Sequence, residues 1–204
     1  ILGNHSLKQL NIINSGEGKG KVASVARYIN MCVTPMGRRK LNQILVSPTF
    51  DIEFLKKEYD QCEYLCNNVS IEEYIRSSLK SMKDLEKLSR KLILKRITPS
   101  DLYYLHNNIV SAQNQFEWIY ENTSMEKYIE SFVNKVKFQG SENIINVLST
   151  KLNLKECQEI NNLDYDKNFI NAGVNTEYDQ LITDYKDSLI LKREQRLHNY
   201  QAYR

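Results

Sequence analysis

The chain has 204 residues, 41% hydrophobic and 26% charged, enough apolar content to bury a core. Its 28 basic and 25 acidic residues leave a formal charge of +3, far from the dense basic stripe of a dedicated nucleic-acid-binding module. Three prolines and seven glycines are sparse punctuation for this length; they disfavour a fold of many short strands and favour long helices, so the expected class is all-α. No run of about eighteen apolar residues is present to span a membrane, and residues 1–13 carry His5 and Lys8 where a secretory leader needs an unbroken apolar stretch. An intracellular protein without a membrane partner is expected. Asn, Ile, Lys and the 13 tyrosines are abundant and evenly spread, the mark of an AT-rich coding genome. The chain lacks an initiator Met and stops at Arg204 inside a helical pattern, which predicts a piece of a larger protein.

In chain order, an extended or loosely helical lead-in precedes a polar Gly-rich loop from Ser15 to Lys21, and Val22, Val25, Ala26 and Ile29 then lie at helical spacing up to Met31. Thr34-Pro35 starts the next helix, because the Thr hydroxyl can accept from an orphan N–H and Pro at the first position loses no hydrogen bond. Ser47-Pro48 stops it after Val46. Asp51 is placed to cap a helix reaching Asn67, with Phe50 and Leu55 spaced as a hydrophobic staple and a buried stripe at Ile52, Leu55, Tyr59, Cys62 and Leu65 or Cys66.

Ser70 with Glu73 has the spacing of a capping box for a short helix, and two further helices are predicted over Lys83 to Lys95 and Pro99 to about Tyr120. Met125 to Phe138 and Glu142 to Leu154 form two shorter patterns, Gly140 ending the first. A brief extended segment at Phe169-Ile170 and a turn at Ala172-Gly173 follow. From a cap at Asn175 a last helix runs to the chain end, spanning about 43 Å at 1.5 Å per residue. Its apolar stripe is dense at Tyr178, Leu181, Ile182, Tyr185 and Leu189 and then gives way to Lys192, Arg193, Gln195 and Arg196, so the helix should leave its core and project into water. The chain divides into a lead-in over 1–21, a helical body over 22–174 and a projecting helix over 175–204. Leu41, Leu55, Leu85, Leu88, Leu92 and Leu102 are the expected buried leucines.

Few of the chemistry-bearing residues form a site. Gly16-Glu17-Gly18-Lys19-Gly20-Lys21 lacks the spacing of a phosphate loop, since neither lysine follows a glycine at the right offset and precedes Ser or Thr. Cys62 and Cys66 are one helical turn apart but lack a second Cys/His pair, so Cys32, Cys62, Cys66 and Cys157 read as reduced core residues rather than zinc ligands. His5, His106 and His198 are scattered and have no sequence-adjacent nucleophile or acid-base partner. The one cluster suited to phosphate contact is Lys192, Arg193, Arg196 and Arg204 on the projecting helix, with Glu194 interleaved; a solvated helix face is the competing reading.

Four stretches carry a resemblance: His5-Ser6-Leu7-Lys8-Gln9-Leu10-Asn11-Ile12; Thr34-Pro35-Met36-Gly37-Arg38-Arg39-Lys40-Leu41; Asp84-Leu85-Glu86-Lys87-Leu88 with Thr98-Pro99-Ser100-Asp101-Leu102 behind it; and Phe169-Ile170-Asn171-Ala172-Gly173-Val174-Asn175. In this order and spacing they resemble the core-and-lever region of the MutS family of DNA mismatch-repair proteins. The match is weak from Glu121 to Asp166. The resemblance implies an irregular helical bundle with a long projecting C-terminal helix, a non-catalytic connector between the ATPase end and the DNA clamp of a larger protein. It transfers no catalytic, cofactor or metal residue to this chain. It implies ATP and Mg for the full-length protein, duplex DNA as its ligand and a MutS-type homo- or heterodimer partner. Neither a Walker-type site nor a mismatch-reading Phe-x-Glu is present here. The alternative is a MutS-like scaffold module serving recombination or another role outside repair.

Overall fold

The structure, a computed structural model, describes residues 3–13, 20, 23–132, 135–160 and 167–202; within its helices the side chains of residues 4, 135–139 and 197–202 are left aside. The described residues form eleven helices: α1 (Asn4–Gln9), α2 (Val25–Ile29), α3 (Pro35–Val46), α4 (Ile52–Asn67), α5 (Val69–Lys80), α6 (Leu85–Ile93), α7 (Pro99–Asn122), α8 (Glu126–Glu130), α9 (Lys135–Lys151), α10 (Leu154–Glu159) and α11 (Thr176–Ala202). A single antiparallel bridge, Leu152 to Ile170, is the only extended pairing among them. The all-α expectation holds.

Helix starts follow from short polar side chains that accept orphan amides. Thr34 accepts from Gly37, Asp51 from Phe54, Asp84 from Lys87 and Asn153 from Glu156. At α7, Thr98 and Asp101 form a reciprocal capping box around Pro99, with Asp101 N donating to Thr98 Oγ1 and Thr98 N donating to Asp101 Oδ2. The box expected at Ser70 and Glu73 does not form: α5 begins a residue earlier, at Val69, so Ser70 already lies inside the helix. Gly140 ends no helix either. α8 stops at Glu130 and α9 passes through Gly140 to Lys151, because a single interior glycine costs only about 1 kcal/mol relative to Ala and need not break a helix.

α7 is the column of the molecule. α10 and α9 pack most extensively on it, α6 and α5 pack beside them, α4 joins through α5, and α2 lies against α3. Tyr74 of α5 stacks on Trp118 of α7 with ring centroids 3.7 Å apart. The buried side chains are few: Leu7, Ala26, Leu88, Ile119, Met125, Cys157 and Ile160 are the buried apolar ones among the described residues. The accessible surface is 15885 Å², whereas a compact monomer of this mass exposes about 10,000 Å².

This openness explains where residue-by-residue expectations fail. Of the six leucines expected inside, Leu88 is buried, Leu41, Leu55, Leu85 and Leu102 are half-buried, and Leu92 is 48% exposed. In α4, Ile52, Tyr59, Cys62 and Cys66 face solvent while Leu55 and Leu65 are half-covered. Phe50 is 92% exposed, so no staple closes over Leu55. Only Cys157 among the cysteines is a core residue, and burial pushes its thiol pKa up. The apolar stripe in α4 exists; no second layer among the described residues covers it fully.

Candidate functional site: the junction that launches the last helix

The segment 167–175 leads the chain into α11 and is held by hydrogen bonds at Asn168, Phe169, Ile170, Asn171, Gly173 and Asn175. Asn171 is the centre. Its backbone N–H donates to Lys151 O at 2.9 Å, and its side-chain Nδ2 donates to Ser149 O and Thr150 O at 3.2 and 3.0 Å. One residue thus satisfies three of the carbonyls that the end of α9 leaves without intrahelical donors. Asn153 N donates to Phe169 O at 2.8 Å from the other side of the bridge.

Asn168 folds its amide onto Ile170, accepting from Ile170 N at 2.8 Å and donating to Ile170 O at 3.0 Å, while its Oδ1 also accepts from Tyr178 Oη at 3.3 Å. Gly173 takes φ +85, a conformation that side chains with a Cβ rarely adopt, and its N–H donates to Asp179 Oδ2 at 2.8 Å. Asn175 accepts from Tyr178 N, the cap read from the sequence. The junction therefore fixes the origin of α11 to the end of α9 through the backbone.

α11 runs 27 residues, about 40 Å. It leaves the body earlier than its stripe predicts: Leu181, Tyr185 and Leu189 are exposed, and among residues 176–196 only Tyr178, Asp179, Ile182 and Ser188 are partly covered. Lys192, Arg193 and Arg196 are exposed on the outer half of this helix, with Lys192 and Arg196 one turn apart. Arg204, the fourth cation of that cluster, lies outside the described residues, as does the Gly-rich loop apart from Gly20.

The other polar links hold helices together. Buried Asn108 of α7 accepts from Lys83 N at 3.1 Å and donates to Lys83 O at 3.0 Å, pinning the turn before α6 as a backbone strand would. Arg39 of α3 forms a fork on Asp84, 2.7 and 2.8 Å, and reaches Glu86 at 2.6 Å. The Arg39 guanidinium holds the Asp84 carboxyl down at about 2. Asp101 is desolvated, which alone would raise its pKa, yet Lys91 at 2.7 Å and the Thr98 donors outweigh that and lower it.

His106 sits between Asn107 Oδ1 at 3.2 Å and Ser149 Oγ at 3.1 Å, a serine far away in sequence that periodicity could not pair with it. The Ser149 hydroxyl donates to Ile145 O at 2.8 Å, so its proton is held within α9 and the contact ties α7 to α9 without activating a nucleophile. No three His, Cys, Asp or Glu residues converge to hold a metal ion among the described residues.

The family model for MutS domain III matches residues 5–200. The chain belongs to the MutS family. It is 29% identical over 199 residues to the DNA mismatch repair protein mutS homolog L359 of Acanthamoeba polyphaga mimivirus, covering 93% of this chain and 17% of that protein. It is 27% identical over 191 residues to the DNA mismatch repair protein MutS of Fusobacterium nucleatum, covering 92% of this chain and 20% of that one. A third relative, the DNA mismatch repair protein MutS of Caldanaerobacter subterraneus, is 32% identical over 100 residues, 49% of this chain and 12% of the protein. The chain thus spans a fifth or less of these MutS proteins. Among the described residues, no helix is long and apolar enough to cross a membrane.

Proposed function

We propose that the chain is the non-catalytic lever region of a MutS-type mismatch-repair protein, coupling a nucleotide-binding end to a clamp on duplex DNA. The observation that carries this is the launch of α11: a 27-residue helix leaves the body from a junction in which Asn171 holds three carbonyls at the end of α9. A stiff helix anchored through backbone hydrogen bonds transmits displacement instead of absorbing it, provided both of its ends are tied to elements with two arrangements. In this reading residues 1–21 are a lead-in, 22–174 the body and 175–204 the lever. ATP and Mg are used in another part of an intracellular protein that works as a MutS-type homo- or heterodimer. The exposed stripe Leu181, Tyr185 and Leu189 is then the seam on which a neighbouring helix of the larger protein lies.

Lys192, Arg193, Arg196 and Arg204 are the residues proposed to meet DNA phosphates. Each phosphate contact removes close to 0.9 from the log-log salt slope, so four give a slope no steeper than about −4. Fluorescence anisotropy of a labelled duplex over a salt series should show weak binding without mismatch preference. Neutralising Lys192, Arg193 and Arg196 together should flatten most of the slope. Tight binding at physiological salt, or discrimination of a mismatched duplex by this chain, would place DNA reading in this chain itself and overturn the proposal.

A further inference from the structure

The end of α6 carries charge and apolar surface that the lever reading leaves unused. Lys87, Arg90, Lys91 and Leu94 recur at positions i, i+3, i+4 and i+7, one face of the helix. Beyond Ile93 the chain turns sharply: Arg96 N donates to Lys91 O at 2.9 Å and Lys95 takes the left-handed conformation, φ 54. That turn folds Arg96 back toward the same face. Lys87, Arg90, Leu94 and Arg96 line an open cleft of about 580 Å³, closed at its far end by the Arg39–Asp84–Glu86 cluster.

Charge in the cleft is unbalanced. Asp84 and Glu86 are both engaged by Arg39, and Lys91 is held by Asp101. Lys87, Arg90 and Arg96 are exposed and have no carboxylate partner among the described residues. Leu94 is 56% exposed in the cleft, and its chain neighbours Leu92 and Ile93 are exposed too. Cations alone would suit a phosphate backbone. Cations around an apolar seat, with carboxylates at one end, suit a ligand that has both an anionic and an apolar side.

We propose that this cleft docks an acidic amphipathic helical segment of a partner protein, its carboxylates on Lys87, Arg90 and Arg96 and its apolar face on Leu94. Nucleic acid is the disfavoured occupant: a duplex presents no apolar side to Leu94, and Asp84 and Glu86 would face its phosphates. The proposal is independent of the lever reading, since it involves no residue of α11 or of its junction.

The test uses the full chain and a fluorescein-labelled 16-residue peptide with leucines at i, i+3, i+4 and i+7 and glutamates elsewhere. A peptide of the same composition with the leucines scattered and a labelled 20-base-pair duplex serve as controls. Anisotropy should show saturable binding of the amphipathic peptide that weakens with added salt, because exposed pairs are screened. Replacing Lys87, Arg90 and Arg96 together by Gln should weaken it about tenfold or more, as should Leu94→Asp, with the circular dichroism of the chain unchanged. These side chains are exposed, so the variants should fold, and Lys57→Gln at an exposed position of α4 serves as a variant expected to leave peptide binding intact. Absence of saturable binding, equal affinity for the scrambled peptide, insensitivity to the triple replacement, or duplex binding lost through the same three residues would each overturn the proposal.

Discussion

Asn108 shows how a single polar side chain can do the work of a strand. It is buried on α7, where its amide matches both the N–H and the C=O of Lys83. Asn108→Ala would leave that part-buried donor and acceptor without their partner, at a cost of about 1 kcal/mol. Chemical denaturation should report that loss with an unchanged denaturant slope, and a variant as stable as the parent would refute the pin. Sequence reading could not find this residue, because a lone Asn in a helix has no local signature and its partner is distant in the chain. The caps at Thr34, Asp51 and Asn175, by contrast, are local chemistry, legible from one or two neighbours.

Asp84 carries a pH consequence. Its folded pKa, about 2, lies below the value near 3.9 of an unfolded carboxylate. A depressed carboxylate stabilises the fold above the unfolded pKa and loses that contribution as pH falls through the folded one, here from about 4 down to about 2. Asp84→Asn keeps a capping oxygen and removes the ion pair with Arg39. It should lower stability at neutral pH by less than about 1 kcal/mol, since the pair is partly exposed, and should flatten the acid limb in that window. An acid limb identical to the parent's would show that the Arg39–Asp84 fork contributes nothing to stability.

At the scale of elements, helix existence and helix burial separate. Periodicity located α3, α4, α6, α7 and α11 because local spacing and caps decide whether a helix forms. It overestimated burial because a stripe records only that a helix has an apolar side, and the covering surface can belong to another part of a larger assembly. Leu88 and Leu92 lie one turn apart in α6 and test the distinction directly. Leu88→Ala should cost about 2 to 5 kcal/mol, as for a filled core position, whereas Leu92→Ala at a half-exposed position should cost less than about 1 kcal/mol. Equal losses in thermal or urea unfolding would mean that this face of α6 stays buried a turn further, out to Leu92. The boundary at Gly140 failed for a related reason: tertiary packing on α7 carries α9 through a residue that propensity alone marks as a stop.

Across the whole molecule, the large exposed surface, the exposed stripe on α11 and the hydrogen-bonded junction at its root are the features on which the lever proposal rests. The sequence pointed to the junction through its resemblance, in Phe169 to Asn175. It could not show that Asn171 is the fastening, since the carbonyls it holds belong to a helix more than twenty positions earlier. The candidate DNA cations were legible only as exposed charge, and exposure alone does not make a contact.

The central claim is that force passes from the body into α11 through that fastening. A decisive test places this chain within a MutS-type protein of full length and compares ATP turnover with and without mismatched duplex in the parent and in Asn171→Ala. Basal turnover and duplex affinity should stay within about twofold while the response of turnover to mismatched DNA falls about tenfold, a coupling loss of roughly 1.4 kcal/mol. An undiminished response in Asn171→Ala, with hydrogen exchange showing the end of α9 loosened, would contradict it.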